Sequence, residues 1–280
     1  MSYILRFLPS SLIDIETEPE TDQTLAVPPH PYHPQDADIP DYIPNASSVA
    51  ELMVRFGSLL GITILTAVWI ATKFNPKLKL SDKSVLGWFV LCGTLHCFFE
   101  GYFVYNHAGL AGSQDLFAQL WKEYALSDSR YLTKDPFMLC VEAITVFIWG
   151  PLCFATAISI VRGSSLRHPL QIIVCVAHLY GVGLYYSTCY INEKYRGLVY
   201  SRPEPLYYWV YYVGFNAPWV LIPAGILMNS VRSIQRGIAA MEIVFATLNR
   251  KRDQPKENSK DVPKEKPKEK SKVKHKVTFQ

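Results

Sequence analysis

The sequence predicts an all-α polytopic membrane protein folded as a bundle of five transmembrane helices. Three observations predict this class. The 280-residue chain contains five apolar stretches, and each is long enough to cross a bilayer. The stretches are continuous, whereas membrane β-strands are short and alternate. Basic residues are concentrated in every second connecting segment, as expected for a chain that crosses a membrane repeatedly.

Each predicted span contains about 20 apolar residues, enough to cover a hydrocarbon core of about 30 Å. The spans are residues 52–72, 85–105, 136–161, 170–190 and 206–228. They divide the chain into three parts. An acidic, proline-rich segment covers residues 1–50, and the five-helix domain covers residues 51–235. A lysine-rich tail covers residues 236–280 and is expected to be largely disordered from about residue 250.

The two ends of the chain differ sharply in composition from the middle. Residues 1–50 hold eight prolines, eight acidic residues and one base, whereas residues 250–280 hold twelve Lys or Arg and five acidic residues. The tail sequence KEKPKEKSKVKHK interleaves both charges with proline, which is typical of a solvated arm. We therefore do not expect nucleic-acid binding. The basic run of the tail could touch anionic lipid headgroups, but the interleaved acids weaken its field. The N-terminus has too short an apolar stretch for a cleavable signal peptide.

The charges of the connections predict one orientation. The first connection is rich in lysine, the third carries Arg162, Arg167 and His168, and the C-terminal segment begins with Arg232 and Arg236. Positively charged segments stay in the cytosol. The C-terminus is therefore predicted to be cytosolic, and the N-terminus and residues 107–135 are predicted to lie on the other side.

Ionisable residues inside the spans are the candidate functional groups, because they are costly in hydrocarbon and usually face a cavity or a partner. The second span holds His96 and Glu100, whose i, i+4 spacing places them on one helix face. The third holds Glu142, with Trp149 seven residues later on the predicted same face. The fourth span holds His178.

The fifth span adds Asn216, with Trp219 three residues later on the same predicted face. Two carboxyl groups, an imidazole and an indole in an apolar pocket suit proton transfer. One carboxyl group can hold its proton near neutral pH, and a Trp ring face can stabilise a passing carbocation. His178 and Asn216 could instead only hydrogen-bond between helices.

No metal site is predicted. All six cysteines lie in or beside the apolar spans, and neither CxxC nor His-paired metal spacing is apparent. They are interpreted as small buried apolar residues.

Five blocks of sequence, in order, resemble the emopamil-binding protein family, whose membrane domain is of the EXPERA type. They are HPYHPQ with YIPN, LHCFFEGYFV, LWKEYALSDSRY, CVEAITVFIWGPL and PLYYWVYYVGFNAPWVLIP. The resemblance covers roughly residues 30–235. It implies a five-helix bundle with a sterol-sized cavity inside the membrane, a location in the endoplasmic reticulum membrane, and sterol Δ8-Δ7 isomerase activity without a cofactor.

The resemblance also implies residue roles. A proton is added at carbon 9 of a Δ8 sterol, which leaves a tertiary cation at carbon 8, and a proton is then lost from carbon 7. His96 and Glu100 would deliver the first proton, and Glu142 would shuttle or receive a proton. Trp219 would stabilise the cation, and Asn216 matches a pocket position.

Further positions are expected to shape the substrate pocket. They comprise residues of the second connection and residues of the spans: Trp121, Tyr124, Asp128, Ser129, Arg130, Tyr131, Trp149, His178 and Tyr185. Cationic amphiphilic amines are implied as ligands because an ammonium group mimics the carbocation. A homodimer is left open.

The chain departs from the family pattern in the fourth span. Family members usually carry Gln before a Tyr-Gly pair and Asp after it, whereas AHLYGVGLYY places His178 and Val182 there. His178 could replace the Gln as a hydrogen-bonding group, but Val182 cannot replace an acid. Two alternatives therefore stay open. One is a diverged member that isomerises another sterol or a terpenoid, and the other is a non-catalytic sterol-binding or trafficking protein.

Overall fold

A computed structural model describes residues 30–253 of the chain. Predictions about residues 1–29 and about the tail beyond residue 253, including its disorder, lie outside the described residues. Within the described part the protein is all-helical, with five helices long and apolar enough to cross a membrane. The predicted fold class is thus confirmed.

Helices α1 and α2 form the first pair. Helix α1, Val49–Phe74, begins at Ser48, whose side-chain oxygen accepts a hydrogen bond from the Glu51 amide. After a short turn, α2 runs over Leu80–Asn106. Because α1 offers most of its apolar surface outwards, it is suited to contact lipid.

The second connection contains a short amphipathic helix, α3, over Leu116–Tyr124. Helix α4 spans Pro136–Val161 and starts with a proline at its first position, where no amide hydrogen bond is lost. Helix α5, Arg167–Arg196, ends at Gly197, whose φ of +65° is a left-handed conformation that favours glycine.

Helix α6 begins with the π-helical segment Leu206–Gly214 and continues as the α-helix Pro218–Asp253. It is longer than the predicted span, which stops at residue 228. Arg232 and Arg236 end the apolar run there, but charged residues do not break a helix, and the next proline is at position 255. The chain divides into two compact units after Arg232, and residues 233–253 are described only as helix.

Three π-helical segments interrupt the spans: Leu95–Glu100 in α2, Thr145–Trp149 in α4 and Leu206–Gly214 in α6. The first two pack against each other. π-Helical turns are rare and frequently occur at functional sites, because the wider i to i+5 winding turns side chains away from their α-helical faces. The apolar pattern of the sequence did not predict them.

Residues 30–48 pack against the second connection. The Tyr32 hydroxyl donates to the Lys122 carbonyl at 3.1 Å, and Lys122 Nζ donates to the Ile43 carbonyl at 2.8 Å. The Asn45 amide donates to the Gln119 carbonyl at 2.9 Å. This part of the acidic segment is therefore joined to the helical domain by buried and part-buried hydrogen bonds.

Two apolar clusters form the core. One, at the end of the second connection, includes Phe103, Met138 and Tyr185. The other, towards the opposite end, includes cysteines 92, 153 and 175. The ionisable residues of the spans are His96 and Glu100 on α2, Glu142 on α4 and His178 on α5. On each helix they lie, in sequence, between residues of one cluster and residues of the other. This arrangement creates a polar layer at mid-depth.

Candidate functional site

His96 is the centre of the polar layer. It lies in the first π-helical segment and is 4% exposed. Its Nδ1 lies 2.8 Å from Glu100 Oε1 and 2.9 Å from Oε2, as the i, i+4 spacing predicts. With the carboxyl group ionised, Nδ1 carries the hydrogen and donates it, so the carboxylate orients the ring.

The other ring nitrogen of His96 faces α5. Its Nε2 lies 3.0 Å from Nε2 of His178, and the two rings meet edge to face with centroids 5.2 Å apart. One Nε2 must donate and the other accept. The Nδ1 of His178 is buried and has no hydrogen-bond partner among the described residues. Residues 82 positions apart are thus joined in one network, Glu100–His96–His178.

Glu142 completes the polar layer from α4. It is 8% exposed, and its Oε1 accepts a hydrogen bond from the Tyr131 hydroxyl at 3.0 Å. The helix segment that carries Glu142 packs against the π-helical segment that ends at Glu100. We call His96, Glu100, Glu142 and His178 the acid–base layer.

A close helix contact brings α4 to the acid–base layer. A Cβ atom built on Gly150 would lie 2.5 Å from Cys97 Sγ and 3.2 Å from His96 Cβ. Only glycine permits this approach. The third span therefore lies directly against the helix segment that carries His96.

Aromatic residues of the second connection cover the acid–base layer on one side. We call Trp121, Tyr124 and Tyr131 the aromatic cap. The rings of Trp121 and Tyr131 lie 4.6 Å apart, and those of Tyr124 and Tyr131 lie 5.5 Å apart. Trp121 also donates its indole N–H to the Phe99 carbonyl at 3.0 Å, which anchors the cap to α2. The sequence assigned these residues to the pocket without indicating that Tyr131 binds Glu142.

Asn216 and Tyr185 lie beside the aromatic cap. Asn216 Nδ2 donates to the Tyr124 hydroxyl at 3.1 Å and to the Tyr212 carbonyl at 2.8 Å. Tyr185 is buried, its ring lies 5.3 Å from the Arg130 guanidinium carbon, and its hydroxyl has no hydrogen-bond partner among the described residues. A buried hydroxyl of this kind is available to a polar group of a ligand.

Asp128, Ser129 and Arg130 hold the second connection in place. Arg130 binds the Asp128 carboxylate through Nε at 2.9 Å and Nη2 at 2.6 Å, and both residues are buried. Arg130 also donates to Thr188 of α5 at 3.1 Å, and the Ser129 hydroxyl donates to the His33 carbonyl. Their contacts are those of a scaffold beneath the aromatic cap.

Trp219 lies in a different environment from Asn216. Its ring is 5.3 Å from that of Trp88, two turns before His96, in the cluster at the opposite end. Trp149 is half-buried at the end of the second π-helical segment. Because π-helical winding intervenes, seven residues do not keep Trp149 on the face of Glu142 as they would in an α-helix.

An apolar groove opens next to Trp88. Its volume is about 420 Å³, and it lies between α1, α2 and α6. Its lining includes Ile64, Val68, Gly87 and Ile226. Such a groove can admit an apolar molecule from the side of the bundle.

The structure also joins a cysteine to the histidines of the acid–base layer. Cys92 Sγ and one nitrogen each from His96 and His178 lie within 4.8 Å of one another, and all three residues are buried. Contrary to the expectation that no cysteine pairs with a histidine, these groups have the composition of a metal-binding set. The i, i+4 spacing of Cys92 and His96 indicated this set only weakly, because its third member, His178, lies on another helix.

Comparison with known proteins identifies the family. The family model described as EBP: EXPERA (EXPanded EBP superfamily) matches residues 116–230. The 3-beta-hydroxysteroid-Delta(8),Delta(7)-isomerase of Mus musculus is 31% identical over 214 residues, which cover 75% of this chain and 91% of that protein. A probable isomerase of the same name from Oryza sativa subsp. japonica is 33% identical, with 74% and 92% covered.

A relative with a different name has similar coverage. Protoglabretal synthase from Ailanthus altissima is 28% identical over 207 residues, which cover 73% of this chain and 92% of that protein. The family model covers Glu142, His178 and the aromatic cap and begins after His96 and Glu100. By its helical architecture and by these relatives, the chain belongs to the EBP family of the EXPERA superfamily.

Proposed function

We propose that this protein is an isomerase that moves the ring double bond of a sterol from Δ8 to Δ7. The observation that carries the proposal is the acid–base layer, where the His96–Glu100 pair and Glu142 lie on packed helix segments between two apolar clusters. The family relatives named as sterol isomerases support the same reaction class.

The proposed reaction needs one proton donor and one proton acceptor. The His96–Glu100 pair delivers a proton to carbon 9, the C8=C9 π electrons form the new C–H bond, and a cation is left at carbon 8. Loss of the proton at carbon 7 to Glu142 then forms the C7=C8 bond. Protons and electrons balance, so the reaction requires neither a redox cofactor nor a metal.

The surroundings of the layer are suited to a cationic intermediate. Carboxylates and fixed dipoles stabilise positive charge most effectively where water is excluded. We assign cation stabilisation to Trp219, whose ring packs against Trp88 of the groove lining, because an indole face attracts cations. Asn216 and the buried Tyr185 hydroxyl are assigned to the polar end of the sterol. Trp121, Tyr124 and Tyr131 would close the pocket.

A terpenoid is the second candidate substrate. His178 contacts His96 directly, so the departure from the family pattern at this position lies in the acid–base layer itself. The similarity to a protoglabretal synthase points in the same direction. A change beside the proton donor would alter which ring carbon is protonated more readily than it would alter the fold.

The test is conversion of a Δ8 sterol by membranes from cells that lack their own isomerase, with and without this chain. We expect a Δ7 product that is lost in Glu100→Gln and in Glu142→Gln, because each substitution keeps the volume and removes the ionisable carboxyl group. Glu193→Gln, at an exposed position of α5, is the matched control and should retain turnover. Normal turnover by either layer variant would contradict its assigned role.

Substrate identity is decided in the same membranes. Conversion of a triterpenoid but not of the sterol would favour the second candidate. Sterol binding without conversion of any substrate, by a folded protein, would favour the binding or trafficking alternative.

The remaining predictions follow from the same proposal. The catalytic domain is residues 51–235, placed in the endoplasmic reticulum membrane with a lumenal N-terminus and a cytosolic tail. Cationic amphiphilic amines should compete with substrate, because an ammonium group would take the place of the cation beside Glu100 and Glu142. The homodimer stays a prediction, to be checked by mass measurement in detergent.

A further inference from the structure

Cys92, His96 and His178 form a three-residue cluster that the proposed proton transfer does not use as a unit. Cys92 is 0% exposed, His96 4% and His178 6%. One ligand atom from each lies within 4.8 Å of the others. The Nε2 atoms of the two histidines lie 3.0 Å apart, and the Cys92 thiol lies beside this pair.

The distance between the two Nε2 atoms is close to that in a zinc site. Zinc binds Cys sulfur at about 2.3 Å and His nitrogen at about 2.0–2.1 Å. In tetrahedral geometry two nitrogen ligands then lie about 3.3 Å apart, compared with the 3.0 Å between the Nε2 atoms. Small rotations of the three side chains would bring all of them to bonding distance.

The surroundings also favour a divalent cation. Glu100 holds Nδ1 of His96 at 2.8 Å, and a carboxylate on the far nitrogen of a histidine is the usual partner of a zinc ligand. One Cys92 thiolate and the Glu100 carboxylate together carry two negative charges, which match Zn²⁺. A neutral set is the arrangement that an apolar interior tolerates best.

We propose that Cys92, His96 and His178 bind Zn²⁺ inside the bundle. On binding, the S–H bond of Cys92 breaks, its proton leaves to solvent and a sulfur–zinc bond forms, while each histidine donates the lone pair of its Nε2. No electron is transferred. The metal keeps one open coordination position, as three-ligand zinc sites do.

The site has a consequence for catalysis that rests on the proposed function. An Nε2 bound to zinc cannot carry a proton, so zinc and proton delivery compete for the same atom of His96. Zinc would therefore inhibit the isomerase reversibly.

Binding is tested with the purified full-length chain in detergent, using Zn²⁺ itself and atomic spectroscopy after dialysis. We expect one zinc per chain, at least about tenfold weaker binding in Cys92→Ser and His178→Gln, and unchanged binding in Cys140→Ser. Cys140 is exposed and serves as the matched control. Equal binding by the parent and Cys92→Ser, or no binding by a folded parent, would overturn the site.

Cobalt gives an independent readout of the thiolate. Co²⁺ bound to the parent should show a sulfur-to-metal charge-transfer band that Cys92→Ser lacks. The same band in both proteins would place the metal on another cysteine and overturn the assignment.

Turnover is measured separately, as the ratio of each variant's rate with and without Zn²⁺. The ratio should fall in the parent and stay near one in Cys92→Ser. If the parent binds one zinc per chain and its rate ratio does not change, the zinc site is supported but the competition with proton delivery is refuted. If no variant turns over any substrate, the proposed function fails, and the metal site is judged by the binding and cobalt measurements alone.

Discussion

Glu142 and Tyr131 join the acid–base layer to the aromatic cap through one hydrogen bond. The Tyr131 hydroxyl donates to Glu142 Oε1 at 3.0 Å, and both residues are buried. A hydrogen bond contributes about 1.5–3 kcal/mol when one partner is charged, which Glu142 would be in the form that accepts a proton. Tyr131 is therefore expected to set the charge and the orientation of the carboxyl group that receives a proton.

Tyr131→Phe tests this contact, because it keeps the ring in the cap and removes the donor. We expect turnover to fall about tenfold or more while the melting temperature changes little. Tyr180→Phe, on the exposed face of α5, is the control and should retain the parent rate. A parent rate in Tyr131→Phe would show that the bond does not serve proton transfer.

Lys122 is a buried base outside the spans. Burial lowers the pKa of Lys122 to about 8, compared with about 10.4 for an unperturbed lysine. Between these two values the unfolded chain holds more protons than the folded chain. The free energy of unfolding should therefore rise with pH across this window. Below the window Lys122 is protonated in both states and should add nothing to the slope.

Lys122→Met removes the titrating group. Compared with this variant, the parent should gain melting temperature between about pH 8 and about pH 10. Lys194→Met, at an exposed position, should follow the parent. Identical pH profiles for the parent and Lys122→Met would show that Lys122 does not titrate in this range.

At the scale of elements, two π-helical segments and a glycine position the catalytic candidates. Leu95–Glu100 and Thr145–Trp149 pack against each other. Gly150 then allows α4 to approach the backbone beside His96. The contact is tight enough that an added methyl group must displace the Cys97 sulfur, which would lie 2.5 Å from it.

Gly150→Ala should lower the free energy of unfolding by about 1–3 kcal/mol, the usual cost of overpacking, and should reduce turnover by moving His96. Gly181→Ala, where an added Cβ meets nothing within 4 Å, is the matched control. It should be neutral or stabilising, because alanine favours a helix. Thermal unfolding in detergent measures both.

A second substitution identifies the atom responsible. Adding Cys97→Ala to Gly150→Ala removes the sulfur that the new Cβ meets at 2.5 Å. The double variant should regain part of the lost stability. Strictly additive losses would show that the clash lies elsewhere.

At the scale of the whole molecule, the candidate residues lie in one compact unit. His96, Glu100, Glu142, His178 and Trp219 all precede Arg232, where the first unit ends. The segment 30–48 belongs to the same unit and is bonded to the second connection. Catalysis should therefore not depend on the lysine-rich tail.

Removal of residues 254–280 should leave turnover per folded molecule unchanged. A truncation that begins at residue 49 should abolish it, because Lys122 and the second connection lose their partners at Tyr32 and Ile43. Membrane assays of both truncations, normalised to folded protein, measure this. Loss of turnover on tail removal from a folded protein would favour a scaffold role for the tail.

The sequence alone determined the number of spans, their order and the identity of most candidate residues. Apolar length and loop charge are local properties, and a charged group in hydrocarbon is conspicuous without a structure. The i, i+4 contact of His96 and Glu100 was predictable for the same reason, because it lies within one helix.

Only the tertiary structure decided how the candidates combine. The His96–His178 contact, the Tyr131–Glu142 bond and the Cys92 cluster join residues on different elements. Asn216 contacts Tyr124 whereas Trp219 contacts Trp88, and π-helical winding precedes Trp149, which helical periodicity had placed on the face of Glu142. Periodicity describes one regular helix, whereas these features arise from packing between helices and from breaks in regular winding.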